Sequence, residues 1–340
     1  MSDSVRARKI VVTGSAGFVG FHLAKALLDE GFTVHGYDGM TPYYDPQLKI
    51  ARHAILRAYP QFSATEAMLE DADSLTAAIA NFDPDVIVHL AAQAGVRYSL
   101  EEPRAYVETN IVGTFNVLEC ARANKVDHLL MASTSSVYGA NTQMPFTETD
   151  KADTPLTIYA ATKKATEAMG HAYAHLHSLP TTMFRFFTVY GPWGRPDMAY
   201  FKFTRAILAG EPIDIYNNGD MWRDFTYVGD LVRGIRLLMD AVPGGPETAV
   251  DGDSLSSAAP FRVVNIGNSD KVRLLDFIAA LEAALDRKAV RNMMPMQTGD
   301  MQATWADASL LRALTGYQPA TELQDGVARF VEWYRAYHAS

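Results

Sequence analysis

Apolar and polar positions alternate in blocks through the first half of the chain. Short apolar runs, rich in β-branched and aromatic residues, predict strands at Lys9–Thr13, Phe32–Tyr37, Asp85–Leu90, Asp127–Ala132 and Thr181–Phe186. The stretches between them predict helices at Phe18–Asp29, Asp73–Ala80, Pro103–Ala123 and Leu156–Leu179. Because strands that alternate with helices pair in parallel through crossover connections, the pattern predicts an α/β fold with a parallel sheet.

The predicted elements become shorter after Gly191-Pro192-Trp193-Gly194. Further helices are expected near Ala199–Leu208, Asp230–Met239, Leu274–Leu285, Ala308–Leu314 and Leu323–Tyr337. We therefore predict a larger domain over residues 1–190 and a smaller, mainly C-terminal domain over residues 191–340, with strands or helices exchanged between them. The stretch Pro243–Pro260 is rich in Gly, Ser, Pro and acidic residues, and it predicts an exposed loop or a mobile insertion.

Composition narrows the classes of protein. The 340 residues are 48% hydrophobic and 20% charged, which is typical of a folded globular chain. Lys and Arg number 30 against 39 Asp and Glu, so the net charge is −9 and no nucleic-acid partner is expected. Cys120 is the single cysteine, which excludes an intrachain disulfide. No apolar run approaches the roughly 20 residues of a membrane span, so we expect no membrane partner and a cytoplasmic location.

A glycine-rich turn follows the first predicted strand directly and opens the next helix. The turn includes Gly14, Ala16, Gly17, Phe18, Val19 and Gly20. Its glycines would let the backbone approach a pyrophosphate, whose charge is favoured at a helix N-terminus. Asp38 lies at the end of the second strand, where a carboxylate could bind ribose hydroxyls and repel a 2′-phosphate. A glycine turn by itself can simply allow a strand and a helix to pack, and a single Asp can simply lie in a solvated turn. The two together favour an NAD site over an NADP site.

A second motif places a phenol and an ammonium one helical turn apart. Tyr159 and Lys163 are four residues apart on the predicted Leu156–Leu179 helix and share a face. Positive charge from Lys163 and from an oxidised nicotinamide would favour phenolate, although moving a pKa from about 10 to about 7 requires about 4 kcal/mol. This spacing is common on helix surfaces, so its specificity comes from the glycine turn and from the hydroxyl cluster Ser133–Gly139.

With these motifs, the chain resembles the extended short-chain dehydrogenases/reductases, and among them the nucleotide-sugar epimerases that act on UDP-glucuronate. The resemblance runs nearly from end to end. The matching stretches are Thr13–Gly20, Tyr43–Lys49, His89–Ser99, Ser133–Gly139, Tyr159–Lys163, Arg185–Pro196, Arg223–Val228 and Met296–Asp300. It implies a Rossmann-type doubly wound parallel sheet that binds NAD, with a smaller α/β domain that binds the nucleotide sugar.

The same resemblance implies the roles of individual residues. Tyr159 would be the base and acid at the sugar 4-hydroxyl, Thr134 would share the hydrogen bonds of that oxygen, and Lys163 would hold the nicotinamide ribose. Asp71 and Ala72 would border adenine. The NAD channel would be lined by Leu90, Ala91, Ala92, Asn110, Ser133 and Phe186. For UDP, it implies Arg223 at the diphosphate, Gln297 close to the phosphates and Asp300 at the ribose.

The implied reaction is 4-epimerisation of UDP-glucuronate to UDP-galacturonate through a 4-keto sugar, with tightly bound NAD⁺. It also implies a homodimer formed through Pro103–Ala123 and Leu156–Leu179. In related dehydratases the segment before the catalytic helix resembles S-T-D-E-V-Y-G, and in related decarboxylases it resembles S-T-S-E-V-Y-G. In this chain Ser135 and Ser136 occupy the third and fourth positions of that segment, so the glutamate is absent. We predict that these serines and Thr188 hold the sugar carboxylate, because hydroxyls donate hydrogen bonds where another carboxylate would repel.

Several alternatives remain open at this point. Arg97 and Arg195 are candidate anion ligands or structural ion-pair partners. The strand-end hydroxyls could merely cap the backbone. His171, His175 and His177 lack a carboxylate at a matching spacing, so no metal site is expected. Rival activities are a neutral UDP-hexose 4-epimerase, a UDP-glucuronate decarboxylase and a non-catalytic NAD-binding regulator.

Overall fold

The computed structural model describes residues 8–297 and 301–339. Its strands are β1 (Lys9–Thr13), β2 (Thr33–Asp38), β3 (Phe62–Glu66), β4 (Val86–His89), β5 (His128–Thr134), β6 (Thr181–Phe186), β7 (Thr188–Tyr190), β8 (Pro212–Ile215), β9 (Trp222–Arg223), β10 (Phe225–Tyr227), β11 (Phe261–Ile266), β12 (Val272–Arg273), β13 (Val290–Met293) and β14 (Ala303–Thr304). Its α-helices are α1 (Phe18–Asp29), α2 (Pro46–Leu56), α3 (Ala72–Phe82), α4 (Tyr98–Glu101), α5 (Pro103–Tyr106), α6 (Thr114–Asn124), α7 (Ile158–His177), α8 (Ala199–Ala209), α9 (Val228–Leu238), α10 (Leu274–Leu285), α11 (Ser309–Thr315) and α12 (Leu323–Ala339).

In the part of the chain that the structure describes, seven of these strands form one parallel sheet. Their order is β11-β6-β5-β4-β1-β2-β3. From β1 the chain adds strands first on one side, as β2 and β3, and then on the other side, starting with β4. In a doubly wound sheet, this change of side opens a crevice at the carboxyl ends of the strands. The α/β class and the doubly wound parallel sheet predicted from the sequence are confirmed.

The sheet is covered by helices on both faces because its strands carry apolar side chains on both sides. Ile10 and Val12 pack in one apolar cluster with α1 and α9, whereas Val11 between them packs in a second cluster with α3 and α6. This alternation follows from the two-residue period of a strand. It explains why the strands read as continuous apolar runs in the sequence.

A third apolar cluster lies within residues 190–334. It packs α8, α10 and α12 against the short strand pair β10–β7 and against β8. In contrast, β11 and α9 also come from the C-terminal half, but they join the large sheet and its helical layer. The division into two domains at residue 190 stays a prediction. The elements β11 and α9 are of the kind that we predicted to be exchanged between the two domains.

The predicted helix Pro103–Ala123 is interrupted in the structure. Between α5 and α6, residues Val107–Gly113 form a π-helical segment. Two neighbouring side chains of this segment make tertiary hydrogen bonds: Thr109 donates to Glu70, and Asn110 bonds to Gln93 and Thr162. Because these contacts join segments that are distant in the sequence, the apolar periodicity of Pro103–Ala123 does not reveal the interruption of the helix.

The stretch Pro243–Pro260, predicted as an exposed loop or a mobile insertion, is tied to the fold by hydrogen bonds. Arg262 on β11 forms an ion pair with Asp253 at 2.9 Å, and the two side chains are only 1% and 4% exposed. The same guanidinium donates to the carbonyl oxygens of Ala241 and Thr248. A buried pair with these additional hydrogen bonds fixes both ends of the loop.

Among the described residues, no helix has both the length and the apolar character needed to cross a membrane.

Candidate active site

A cleft of about 470 Å³ opens at the carboxyl ends of the central strands. Most of the residues predicted to bind cofactor or substrate contribute to its wall. They are Gly14, Gly17, Phe18, Val19, Gly20, Asp38, Leu90, Ala91, Ala92, Ser133, Thr134, Ser135, Ser136, Tyr159, Lys163, Phe186, Thr188, Arg195 and Arg223. The fold therefore gathers the separate sequence motifs into one cavity.

The glycine turn lies in close backbone contact with its neighbours. Gly14 has a φ of +73°, and a Cβ there would lie 2.8 Å from the backbone nitrogen of Ala91. A Cβ on Gly20 would lie 2.0 Å from the carbonyl oxygen of Gly14. Only glycine allows the turn, the end of β4 and the first turn of α1 to approach in this way. The wall they form is a backbone cradle of the kind that accommodates a pyrophosphate.

Asp38 is fixed at the end of β2 beside this cradle. One carboxylate oxygen accepts a hydrogen bond from the backbone N–H of Ala16 at 2.9 Å, and the other accepts from Met40 at 2.8 Å. Asp38 is 7% exposed and lines the cleft. A carboxylate oxygen has capacity for a further hydrogen bond, so Asp38 fits a ribose diol and disfavours a 2′-phosphate. Ala16 itself does not line the cleft.

Arg52, which the sequence analysis did not single out, braces the glycine turn from behind. This arginine of α2 is fully buried. It donates to the carbonyl oxygens of Ala16 and Trp193 and to the Tyr44 hydroxyl. The resemblance at Tyr43–Lys49 ends three residues before it, so the only available signal stopped short of this position. Arg52 thereby connects the glycine turn to the turn that follows β7.

The proposed acid–base pair is assembled from two elements. Thr134 ends β5 and accepts from the backbone N–H of Ser136, while α7 brings Tyr159 into the same cleft. Burial raises the pKa of Tyr159 above its ordinary value, and the Thr134 hydrogen bond and the charge of Arg195 oppose that rise. The sequence analysis expected Lys163 to supply the opposing charge. In the structure Arg195 also supplies positive charge at this phenol.

Lys163 lines the cleft and is anchored on the neighbouring strand β5. Its Nζ donates to the carbonyl oxygen of Ala132 at 2.8 Å, and the residue is 3% exposed. Burial lowers the pKa of Lys163 to about 8, although the charge of Glu167 one turn further along α7 opposes this change. The protonated side chain is therefore maintained at a cost in stability.

This cost gives a pH-dependent prediction for Lys163→Met. Because the pKa is about 8 in the folded chain and 10.5 in the unfolded chain, the folded protein bears the full cost below pH 8. We expect nucleotide-free Lys163→Met to be more stable than the original protein by about 2 kcal/mol at pH 6, after allowing for the lost hydrogen bond. The gain should shrink as the pH rises from 8 towards 10.5. Urea unfolding at pH 6 and pH 9.5 measures it, and an equal gain at both would contradict the assignment.

Two predicted cofactor residues make hydrogen bonds that brace the cleft wall, and one of them, Ser133, is itself part of that wall. The hydroxyl of Ser133 donates to Glu167 at 2.6 Å, and Glu167 forms a buried ion pair with Arg185 at 2.8 Å. Asn110 is not part of the cleft wall. Its amide holds the backbone of Gln93, which is part of the wall, and donates to Thr162 on α7. The side chains of Ser133 and Asn110 thus brace the wall.

The cleft wall also includes hydroxyl side chains and two arginines. The hydroxyls predicted to hold the sugar carboxylate, Ser135, Ser136 and Thr188, are all part of it. Arg195 forms an ion pair with Asp197 at 2.6 Å while it still lines the cleft, so both interpretations left open by the sequence apply to it. Arg223 on β9 donates to the carbonyl oxygens of Trp222 and Gln302.

Other predicted residues lie outside this cavity. Arg97 is exposed and lies over the ring of Tyr216 at 4.7 Å. Gln297 does not contribute to the cleft wall, and Asp300 lies outside the described residues. Asp71 is exposed and caps α3 by accepting from the backbone N–H and the hydroxyl of Ser74, and neither it nor Ala72 lines the cleft.

Several lining residues were not assigned from the sequence. They include Thr41, Lys49, Met68, Leu69, Glu70, Gln93, Thr109, Thr157 and Met301. Lys49 and Gln93 fall inside stretches that carry the family resemblance, which was the available signal. No group of three or more His, Cys, Asp or Glu side chains within residues 8–297 and 301–339 is placed to hold a metal ion. His171 and His175 instead bond to Ser256 and to the Ala258 carbonyl oxygen.

This combination of a doubly wound sheet, a glycine cradle and a Tyr–Lys pair is that of a dinucleotide-dependent enzyme. Residues 10–253 match the NAD dependent epimerase/dehydratase family, and the chain belongs to that family. The family predicted from the sequence is confirmed.

Two comparisons narrow the relationship. The chain is 57% identical over 331 residues to a probable UDP-glucuronate 4-epimerase of Rhizobium meliloti, covering 96% of each chain. Its structure is similar, with a TM-score of 0.87 and 32% identity, to a UDP-glucuronic acid 4-epimerase from Bacillus cereus that was solved in complex with UDP-glucuronic acid and NAD. That match covers 97% of this chain and 99% of the other.

Proposed function

We propose that this protein is an NAD-dependent UDP-glucuronate 4-epimerase that interconverts UDP-glucuronate and UDP-galacturonate. The observation that carries the proposal is the meeting of Thr134, Tyr159 and Lys163 in the cleft that the glycine cradle and Asp38 also line. Family membership and the two similar proteins support the same reaction and the same cofactor. A non-catalytic regulator would have no need for this set of side chains.

The proton chemistry belongs to Tyr159 and Thr134. Tyr159 takes the proton from the sugar 4-hydroxyl as carbon 4 is oxidised and returns a proton to the same oxygen when carbon 4 is reduced. Thr134 holds that oxygen in line with the phenol through its hydroxyl. NAD, when bound, supplies the acceptor and later the donor of the hydride at carbon 4. Because the net redox change is zero, the cofactor can remain bound between turnovers.

Lys163 has an electrostatic and a positioning role. Its ammonium, anchored on the Ala132 carbonyl oxygen, lies on the same face of α7 as Tyr159 and stabilises developing phenolate. Its remaining N–H groups can hold a ribose hydroxyl of the dinucleotide. Arg195 adds positive charge that lowers the pKa of Tyr159.

The uronate preference is argued from the chemistry of the wall. The described residues of the cleft wall include two acidic residues, Asp38 at the end of β2 and Glu70 after β3, and neither belongs to the segments that carry Ser135, Ser136 and Thr188. Hydroxyl donors without a neighbouring carboxylate suit a negatively charged sugar carboxylate. Ser136 stands where the dehydratase and decarboxylase patterns have a glutamate, so loss of water and loss of CO2 from the keto sugar are disfavoured.

The remaining expectations join this proposal. We assign the NAD site to residues 1–190 and the nucleotide-sugar site mainly to residues 191–340, with Arg223, Gln297 and Asp300 at UDP. We keep the cytoplasmic location and the lack of a nucleic-acid partner as expectations.

A homodimer is also part of the proposal. Val107, Phe115 and Leu176 are 47%, 46% and 70% exposed, and they lie on the stretches predicted to form the subunit contact. A second copy of the chain would cover these apolar side chains. Sizing chromatography should show twice the mass of one chain, and Phe115→Glu should shift the protein to the monomer. A stable monomer before any substitution would contradict the proposal.

Proton NMR of the sugar anomeric signals tests the reaction. Purified protein is incubated with UDP-glucuronate, with and without added NAD⁺, and the products are followed over time. Formation of UDP-galacturonate without UDP-xylose supports the proposal. Formation of the pentose would show that decarboxylation is not prevented. Conversion of UDP-glucose alone would exclude the uronate preference.

A further inference from the structure

Asp224 is a fully buried acidic residue that the proposed proton chemistry does not use. It follows Arg223, which lines the cleft, and it separates β9 from β10 without being part of the cleft wall itself. Burial raises the pKa of Asp224 to about 6, and its hydrogen bonds oppose that rise. The surroundings are tight, since a Cβ on Gly267 would lie 2.6 Å from Oδ2 of this carboxylate. A buried carboxylate is costly, so its presence calls for an explanation.

Four donors from three segments of the chain meet this carboxylate. Its Oδ1 accepts hydrogen bonds from the backbone N–H of Asn268 at 2.8 Å and from the Thr226 hydroxyl at 3.0 Å. Its Oδ2 accepts from the backbone N–H of Ser269 at 3.0 Å and from that of Ala306 at 3.2 Å. These donors belong to β10, to the turn after β11 and to the segment after β14. The side chain therefore connects the end of a strand of the large sheet to two short strands beside the cleft.

The backbone of Asp224 holds two residues of the cleft wall. Its N–H donates to the carbonyl oxygen of Thr304 at 2.9 Å, and its carbonyl oxygen accepts from the N–H of Thr188 at 3.0 Å. Both threonines line the cleft, as the preceding Arg223 does. The proposed function assigns Thr188 to the sugar carboxylate and Arg223 to the diphosphate. Asp224 thus joins residues that are assigned to two different parts of one substrate.

We propose that Asp224 is a positioning residue for the substrate: its buried carboxylate fixes Arg223 and Thr188 relative to each other and so sets the affinity for the UDP-sugar. This inference rests on the proposed function, which assigns both residues to that ligand. Binding groups must be held within about 0.5 Å of their productive positions by the residues that support them. The four donors hold the main chain of Asp224 in place, and that main chain carries Arg223 and pairs with Thr188.

Asp224→Asn tests this role with almost no change in the size of the side chain. The amide keeps one oxygen, but its NH2 group must face one of the two pairs of donors, which then lose their acceptor. Titration calorimetry should give a Kd for UDP about tenfold higher than that of the original protein, and the KM for UDP-glucuronate should rise by about the same factor. Because Tyr159 and the glycine turn are carried by other elements, kcat and the NAD content should stay within about twofold.

Two further variants separate positioning from a general loss of stability. Asp253→Asn removes the charge of another buried carboxylate, which pairs with Arg262 and is not part of the cleft wall. It should lower the free energy of unfolding and leave the Kd for UDP unchanged. Thr226→Val removes one donor and leaves the carboxylate with its three backbone donors, so the Kd for UDP should rise by about threefold.

The outcomes distinguish this role from the proposed function. An unchanged Kd for UDP in folded Asp224→Asn, with or without a loss of kcat, would overturn the positioning role, as would an equal rise in Asp253→Asn. If Asp224→Asn does not fold, an unchanged Kd in Thr226→Val overturns it. If the original protein binds UDP but does not convert UDP-glucuronate, the proposed function fails and the Kd values still decide the role of Asp224. If it does not bind UDP, both fail.

Discussion

Tyr159→Phe should lower kcat for UDP-glucuronate epimerisation by about 1,000-fold, because removal of a general acid–base group typically costs 10²–10⁴-fold. The ring would remain in place, since Tyr159 packs edge-on against Tyr106 with ring centroids 5.9 Å apart. Only the phenol hydroxyl is lost. The amount of NAD bound per chain should therefore stay the same. Turnover is measured by NMR, and bound NAD by its release on denaturation.

Tyr173→Phe provides a matched control on the same helix. The Tyr173 hydroxyl donates to Glu119 at 2.6 Å, and the residue is not part of the cleft wall. This variant should keep turnover within about twofold of the original, since it touches none of the groups that take part in proton transfer. Near-normal turnover of Tyr159→Phe, or an equal loss in both variants, would exclude the acid–base role of Tyr159.

Gly20→Ala should abolish dinucleotide binding and destabilise the fold. The added Cβ would lie 2.0 Å from the carbonyl oxygen and 2.7 Å from the carbonyl carbon of Gly14. Both atoms belong to the backbone, so α1 must move away from the turn. We expect a loss of about 3 kcal/mol in the free energy of unfolding, at the upper end for overpacked positions. Urea unfolding measures this loss, and the nucleotide content of the purified protein measures binding.

Gly170→Ala is the corresponding control in a helix interior. A Cβ on Gly170 would meet only side-chain atoms, at 3.5 to 3.6 Å, which is ordinary contact. Because alanine favours a helix more than glycine does, this variant should be more stable by about 0.5 to 1 kcal/mol. If Gly20→Ala retains NAD and is as stable as Gly170→Ala, the close approach at the glycine turn is not required.

The sequence predicted those parts of the fold and site that local patterns encode. Buried parallel strands produce continuous apolar runs, so Lys9–Thr13 and Thr181–Phe186 were predicted with the bounds that the structure has. The glycine turn and the Tyr159–Lys163 pair were recognisable because each is a short motif with fixed spacing. The fold then brought these motifs together in one cleft.

Other features depend on contacts between distant segments. Helix α2 was not predicted, because its buried side chains include Lys49, Arg52 and His53, which look like a solvated face in the sequence. The pairing of Arg195 with Asp197 could not be separated from anion binding without coordinates. The segment after β3 could not be resolved either, since Asp71, which caps α3, and Glu70, which lines the cleft, look alike in a sequence.

The way Arg52 braces the glycine turn has a consequence for synthesis of the chain. The turn is complete in sequence by residue 20, yet the guanidinium that holds its Ala16 carbonyl oxygen also binds Trp193, 141 residues further along than Arg52. A growing chain on the ribosome therefore cannot finish its cofactor cradle until more than half of the polypeptide has emerged. The contact that joins the glycine turn to the turn that follows β7 is therefore made late in synthesis, long after the turn itself has been translated.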